Sequence, residues 1–252
     1  MQIGSREMTK PYRIQTGRPR RYEMGLVTVQ ELVLVLHGVG TPHDGLSGTE
    51  SFFWLSRRAF SGLLEAIAAK QQIANFRTVI TFDDGNMSDV TIALPELVKH
   101  GLKAIFFVCA ARMGAPKYLD RVALAELIAA GMEIGTHGMN HRDWRKLAGA
   151  ELDSEVLDAR LRIEDACAKP VTKAAIPFGS YDRRVLQRLR REPFECVYTS
   201  DRGMAKSQQW LKTRTAADST WENAQIERVL FSNASLMTRL YRSTARLYKS
   251  LR

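Results

Sequence analysis

Seven short runs of apolar and β-branched residues recur along this chain, and helical patterns separate most of them. The runs are Leu32–Leu36, Thr78–Phe82, Ala104–Val108, Met132–Thr136, Lys173–Ile176, Glu195–Thr199 and Trp210–Arg214. Runs that are apolar throughout, without polar alternation, read as strands covered on both faces. A parallel sheet with crossover helices needs strands of this kind. Between the runs, Ser56 precedes a helix with Phe60, Leu63, Leu64 and Ile67 on one face. Ser88 reads as the N-cap of a helix through Leu94, Leu97 and Val98 that Gly101 ends. Asp120 caps a helix through Leu124, Leu127 and Ile128, and Asp182 caps one over Arg183–Arg191. A long helix is predicted over about residues 150–168, closed by Pro170. Thr220–Leu230 and Leu236–Leu251 read as two more.

The residues able to do chemistry fall just after strands end: His37, Asp83, Asp84, His137, His141 and the Pro177-Phe178-Gly179 turn. In a β/α barrel the active site is built from the loops at that end of the sheet. An open doubly wound sheet also places ligands there, but its GxGxxG phosphate loop is missing. A closed or nearly closed barrel is therefore predicted. Asp83 and Asp84 stand side by side ahead of Gly85, where two adjacent carboxylates repel unless a cation holds one of them. Asp-Asp-Gly is also ordinary turn chemistry. His137 and His141, four residues apart, converge on one cation if the segment coils through about one turn. With one of the two aspartates they make a His-His-Asp set that leaves positions open for water and substrate.

Composition narrows the setting. No apolar run approaches the ~20 residues that span a bilayer, and the polar, basic start carries no secretory h-region. The three cysteines are scattered, which suits reduced thiols in a cytoplasm. The expected layout is a basic arm over residues 1–25, one domain over 26–231, and a basic amphipathic helix over 232–252. The formal net charge of +10 is concentrated at the two ends. No nucleic-acid-binding signature accompanies it, so nucleic acid is not an expected partner. A basic rim facing anionic lipid at the inner face of the membrane, or facing a phosphate-bearing substrate, suits the pattern.

Thr81-Phe-Asp-Asp-Gly85, Thr136-His-Gly-Met-Asn-His141 and the later Pro177-Phe178-Gly179 together resemble the polysaccharide deacetylase family. This is carbohydrate esterase family 4, also called the NodB homology domain, and the similarity runs from about Leu32 to Arg214. The resemblance implies a distorted (β/α)7 barrel. It further implies metal-dependent hydrolysis of the N-acetyl group of an amino sugar, within a glycan or a lipid- or nucleotide-linked precursor. Carried over by position, Asp83 is the general base, while Asp84, His137 and His141 hold the metal. Zinc is usual, although such a donor set also accepts cobalt, nickel or iron. The backbone N–H of Phe178, next to Pro177, is the expected oxyanion donor. Asn86 follows the first motif in position to touch a sugar ring, and Trp144 follows the second as either a sugar contact or a core residue.

Two departures from the family pattern stand out. Ala175 occupies the place of the arginine that orients the catalytic aspartate, with Arg183, Arg202 and Arg214 as candidate substitutes. No histidine follows His141 to serve as general acid. Leu34-Val-Leu-His37 fits that motif from the other end of the chain, and some family members look permuted in this way. In a closed barrel the first and last strands are neighbours, so His37 is the expected general acid. Asp201 is read as a turn aspartate or as a carboxylate behind a histidine. Two rival readings remain open: a hydrolase of another amide, formyl or O-acetyl group on the same scaffold, and a carbohydrate-binding protein that keeps the metal without turnover.

Overall fold

The computed structural model describes residues 28–70, 76–231 and 248–251. Strand β1 (Gln30–Leu36) opens the fold with its last six residues buried, and β2 (Gly38–Val39) follows at once. A loop carrying the short helix α1 (Gly48–Phe52) leads to β3 (Trp54–Leu55), which pairs with β2, and then to α2 (Arg57–Lys70). Next come β4 (Phe76–Phe82), a π-helical turn (Asp89–Ala93) that runs into α3 (Leu94–Lys99), and β5 (Ala104–Val108). After α4 (Arg121–Ala129) and β6 (Glu133–Thr136), the stretch α5 (Gly149–Asp153), π turn (Ser154–Asp158) and α6 (Ala159–Cys167) runs without a break in helical backbone. Then follow β7 (Lys173–Ala175), α7 (Arg183–Leu189), β8 (Cys196–Thr199), β9 (Met204–Lys206), β10 (Leu211–Thr213), β11 (Thr215–Ala216) and α8 (Asn223–Phe231).

The strand order is β10-β8-β7-β6-β5-β4-β1-β11, parallel throughout, with β9 antiparallel against β1. All seven predicted strands are present as β1, β4, β5, β6, β7, β8 and β10, alternating with helices as a parallel sheet requires. Strands β10 and β11 lie at opposite ends of the strand order, yet only Arg214 separates them in sequence. The sheet therefore comes round on itself, and the fold is a distorted (β/α)7 barrel. Val33, Ile105, Phe107, Ala175, Tyr198 and neighbours cluster apart from the larger core that the helices cover. On α2, Phe60, Leu63, Leu64 and Ile67 are the buried face that their spacing predicts.

Register delivers the site. Leu36 pairs with Phe82, so His37 and Asp83 leave the sheet side by side, and Asp83 N–H donates to the Leu36 carbonyl at 2.8 Å. Val108 pairs with Thr136, so Cys109 and His137 leave it together.

Some expectations need correction. Ser88 caps no helix: its backbone is already helical, and its hydroxyl accepts from Val39 N–H at 3.3 Å. The helix predicted over 150–168 forms, but with a π turn inside it. Helix α8 begins at Asn223 rather than Thr220. The expected arm over 1–25 and most of the helix expected over 232–252 lie outside the described residues. Among the described residues, no helix is long and apolar enough to cross a membrane.

Candidate active site

Arg214 is the pivot of the strand-end cluster. It is fully buried and donates through both terminal nitrogens to Asp83, at 2.6 Å to Oδ1 and 2.7 Å to Oδ2. The same guanidinium reaches Thr81 Oγ1 at 3.1 Å and the Thr199 carbonyl at 3.3 Å. A two-pronged fork on a carboxylate fixes its plane as well as its charge. Burial pushes the Asp83 carboxyl up, but the doubly hydrogen-bonded Arg214 guanidinium outweighs it and holds the group well below the usual carboxylate range. Of the three candidate arginines, Arg183 and Arg202 are exposed, and Arg214 is the one that holds Asp83. Ala175 contributes its carbonyl instead, accepting from His137 Nδ1 at 2.9 Å.

That hydrogen bond decides the histidine's tautomer. A carbonyl only accepts, so Nδ1 carries a proton, and Nε2 is the atom turned to the site, where the neutral ring offers its lone pair. Asp84, His137 and His141 each bring one donor atom into a group whose members lie within 4.8 Å of one another. Burial, then the neighbouring His137, push the His141 imidazole down to about 4, so it is a neutral ligand at neutral pH. Burial pushes the Asp84 carboxyl up, but His37, His137, His141 and Arg112 together hold it below its ordinary value. Two imidazoles and one carboxylate fit a divalent metal.

Backbone strain marks the same residues. Six non-glycine residues have positive φ among those described, and Asp84, His141 and Phe178 are three of them. Such conformations cost about 1–3 kcal/mol each and persist where surroundings over-determine them. For the histidine loop, the surroundings are Glu155. Its buried carboxylate accepts from Met139 N–H and Asn140 N–H, each at 3.0 Å, and from Trp144 Nε1 at 3.3 Å. Gly138 is obligatory here, because a Cβ on it would lie 2.5 Å from Glu155 Oε2. No local sequence signal singles out Glu155, which reads as one more polar residue on a long helix.

His37 is half-buried, with its ring 5.0 Å from that of Phe53 and its buried Nδ1 without a hydrogen-bond partner among the described residues. Burial lowers its pKa, and Asp83 and Asp84 pull it partly back. Asn86 is buried, and both ends of its amide have partners: Nδ2 donates to the His37 carbonyl at 2.5 Å and Oδ1 meets His43 Nε2 at 3.2 Å. These contacts tie β1 to the turn after β4. Trp144 is a core residue, fully buried on Glu155. Asp201 is no free turn aspartate: its buried carboxylate accepts from Tyr181 Oη at 2.8 Å and Thr199 Oγ1 at 2.9 Å.

The opposite rim is Pro177-Phe178-Gly179. Pro177 is buried, whereas Phe178, at φ 58°, ψ 3°, leaves its side chain exposed with the ring 4.5 Å from that of His141. Gly179 lets the turn press against Ser200, whose N would lie 2.7 Å from any Cβ placed there. On the far side, Arg112 stands 3.2 Å from Asp84 Oδ1 and 3.4 Å from Glu50, with Tyr118 beneath its guanidinium. Nothing in the sequence flagged Arg112.

Comparisons with known proteins fit this geometry. The polysaccharide deacetylase family model matches residues 72–197, half of the chain. A protein of Bacillus subtilis named for the same family, YxkH, is 26% identical over 131 residues, covering 52% of this chain and 47% of its own. The peptidoglycan-N-acetylglucosamine deacetylase PgdA of Listeria monocytogenes is 28% identical over 116 residues, covering 46% of this chain and 24% of its own. The chain thus spans less than half the length of these relatives. A solved polysaccharide deacetylase from Bacillus cereus superposes with a TM-score of 0.70 at 17% identity, over 81% of this chain and 69% of that one, and shares the fold.

Proposed function

Because the chain belongs to the polysaccharide deacetylase family, we propose that it hydrolyses the N-acetyl group of an amino sugar in a glycan or glycan precursor. One observation carries the reading: Arg214 holds Asp83 ionised and fixed directly beside the Asp84, His137 and His141 donor set. A binding protein without turnover has no use for a carboxylate oriented so tightly next to a metal site.

Asp84, His137 and His141 would hold a divalent ion, zinc being the first candidate. When bound, such an ion supplies Lewis acidity that makes water nucleophilic at neutral pH and polarises the acetyl carbonyl. Asp83 is the proton acceptor for that water. A carboxylate held below its usual range is a weak base, but it is never protonated at working pH, and it is correctly aimed. The backbone N–H of Phe178 donates to the carbonyl oxygen as it gains charge. His37, delivered beside Asp83 by the β1–β4 register, gives a proton to the departing amine nitrogen, the Asp83 and Asp84 charges working against burial to keep that proton on the ring.

The test is acetate release from an N-acetylglucosamine oligomer by chelator-stripped protein, with and without added zinc. Release should depend on the metal and fall by about 10²–10⁴ in Asp83→Asn and in His37→Asn, the range for a lost proton-transfer group. Zinc binding by His37→Asn should match wild type. Stoichiometric zinc binding with release of formate or ester acetate, but none from the sugar amide, would replace the proposed substrate.

A further inference from the structure

The turn that carries Phe178 is not held by the barrel alone. Phe178 is a non-glycine residue in left-handed backbone, and its side chain is 65% exposed, so packing does little to keep it there. Lys249, far along the chain, reaches the same turn. Its Nζ lies 2.5 Å from Asp201 Oδ1, 3.5 Å from the Gly179 carbonyl, and 5.4 Å from the centre of the Tyr181 ring. The Asp201 side chain is 7% exposed, and its other oxygen accepts from Tyr181 and Thr199. Asp201 therefore gathers donors from the strand end (Thr199), from just past the turn (Tyr181) and from the C-terminal segment (Lys249). On the segment itself, Tyr248 and Leu251 are largely exposed. The ammonium is thus a principal point at which residues 248–251 meet the barrel.

We propose that Lys249 is a positioning residue: by bridging Asp201 and the Gly179 carbonyl it clamps the Pro177–Gly179 turn, and so aims the Phe178 N–H at the acyl oxygen. The inference rests on the deacetylase reading for its kinetic consequence, but not for its structural one. The pair is open to water on its lysine side, where Lys249 is 37% exposed, and Asp201 keeps Tyr181 and Thr199 as donors when the ammonium is removed, so Lys249→Ala should lower the melting temperature only slightly. It should instead free a strained turn whose N–H has to meet a developing charge, where a misplacement of about 1 Å is worth up to 10²-fold.

Two readouts on zinc-loaded, full-length protein test it. The first is hydrogen exchange, read by mass spectrometry on a peptide spanning residues 176–182. Lys249→Ala should speed its exchange by about tenfold while core peptides stay as in wild type, and Lys249→Arg should keep the wild-type rate. The second is acetate release. Lys249→Ala should lower kcat about tenfold with KM nearly constant, as expected when an interaction made only in the transition state is lost. Asp201→Asn should do the same, and the double variant should be no worse than either single one. Unchanged exchange over 176–182 in Lys249→Ala would overturn the clamp, as would faster exchange spread over the whole protein with a lowered melting temperature. If wild type releases no acetate from any acceptor, the deacetylase reading fails, and the exchange experiment still decides the clamp.

Discussion

Asp89 lies five residues beyond Asp84, fully buried, and neither of its carboxylate oxygens has a hydrogen-bond partner among the described residues. Burial first, then the charges of Asp84 and Asp83, push its pKa well above the ordinary value of 3.8. A carboxyl whose folded pKa is raised costs nothing below the unfolded pKa. Its cost appears as pH climbs through about 4 and grows until the folded pKa is passed. An uncharged amide at the same position carries no such cost. Asp89→Asn should therefore melt higher than wild type at pH 8 by at least about 2–4 °C, the shift worth 1 kcal/mol in a domain of this size. At pH 4 the gain should be smaller. Equal gains at both pH values, or a loss at pH 8, would mean that Asp89 has a partner such as an ordered water. The chain's aspartates look alike in sequence. Asp83, Asp84 and Asp89 differ only in the fork, the imidazoles and the emptiness around them, and residue type cannot announce any of these.

At the scale of elements, the histidine loop depends on a helix it does not touch in sequence. The π turn Ser154–Asp158 sits inside the stretch from Gly149 to Cys167 and contains Glu155. A π turn adds a residue and rotates the next helical turn about the axis, which is why such turns gather at functional sites. Here the buried Glu155 carboxylate takes up Met139 N–H, Asn140 N–H and the Trp144 indole, and the loop ends with His141 at φ 56°. Glu155→Gln would set an NH₂ against one of those donors. Metal affinity, measured by competition with a chromogenic chelator, should fall about 10–100-fold, as it does when a supporting partner of a ligand is lost. The melting temperature of the metal-free protein should fall too, since a buried unsatisfied donor costs about 1–3 kcal/mol. Unchanged zinc affinity would show that β6 and the His137–Ala175 bond set the loop alone. The strands, the helices and the metal-ligand pattern were legible because periodicity and spacing encode them. The π turn was not, because Ser-Glu-Val-Leu-Asp is ordinary helical sequence.

At the scale of the whole molecule, the site is completed by the barrel's closure. The family model matches residues 72–197, so its match includes neither His37 nor Arg214. Both reach Asp83 through topology. β1 lies between β4 and β11, which places His37 beside Asp83, and Arg214 is the single residue joining β10 at one edge to β11 at the other. The sequence offered three arginines for one vacancy, and the seam chooses among them. Closure, stability and the proposed catalysis therefore meet in one side chain. Removing it leaves Asp83 buried without its fork, and breaking a buried pair in this way costs about 3–5 kcal/mol at neutral pH. The sign in acid follows from the pKa. Wild-type Asp83, depressed on folding, contributes stability above its unfolded value of 3.8, and that contribution is lost as pH falls through the folded value. In Arg214→Ala the uncompensated burial raises the carboxyl instead, so its protonation relieves the variant. The deficit of Arg214→Ala against wild type should thus be largest near pH 7 and shrink towards pH 3, measured by urea unfolding of the metal-free proteins. Arg214→Lys, with one point charge in place of a fork, should recover part of the stability but little of the acetate release, because orientation is lost with the second prong. A deficit that does not change with pH would separate the seam from Asp83, and Arg214 would then be only a closure residue.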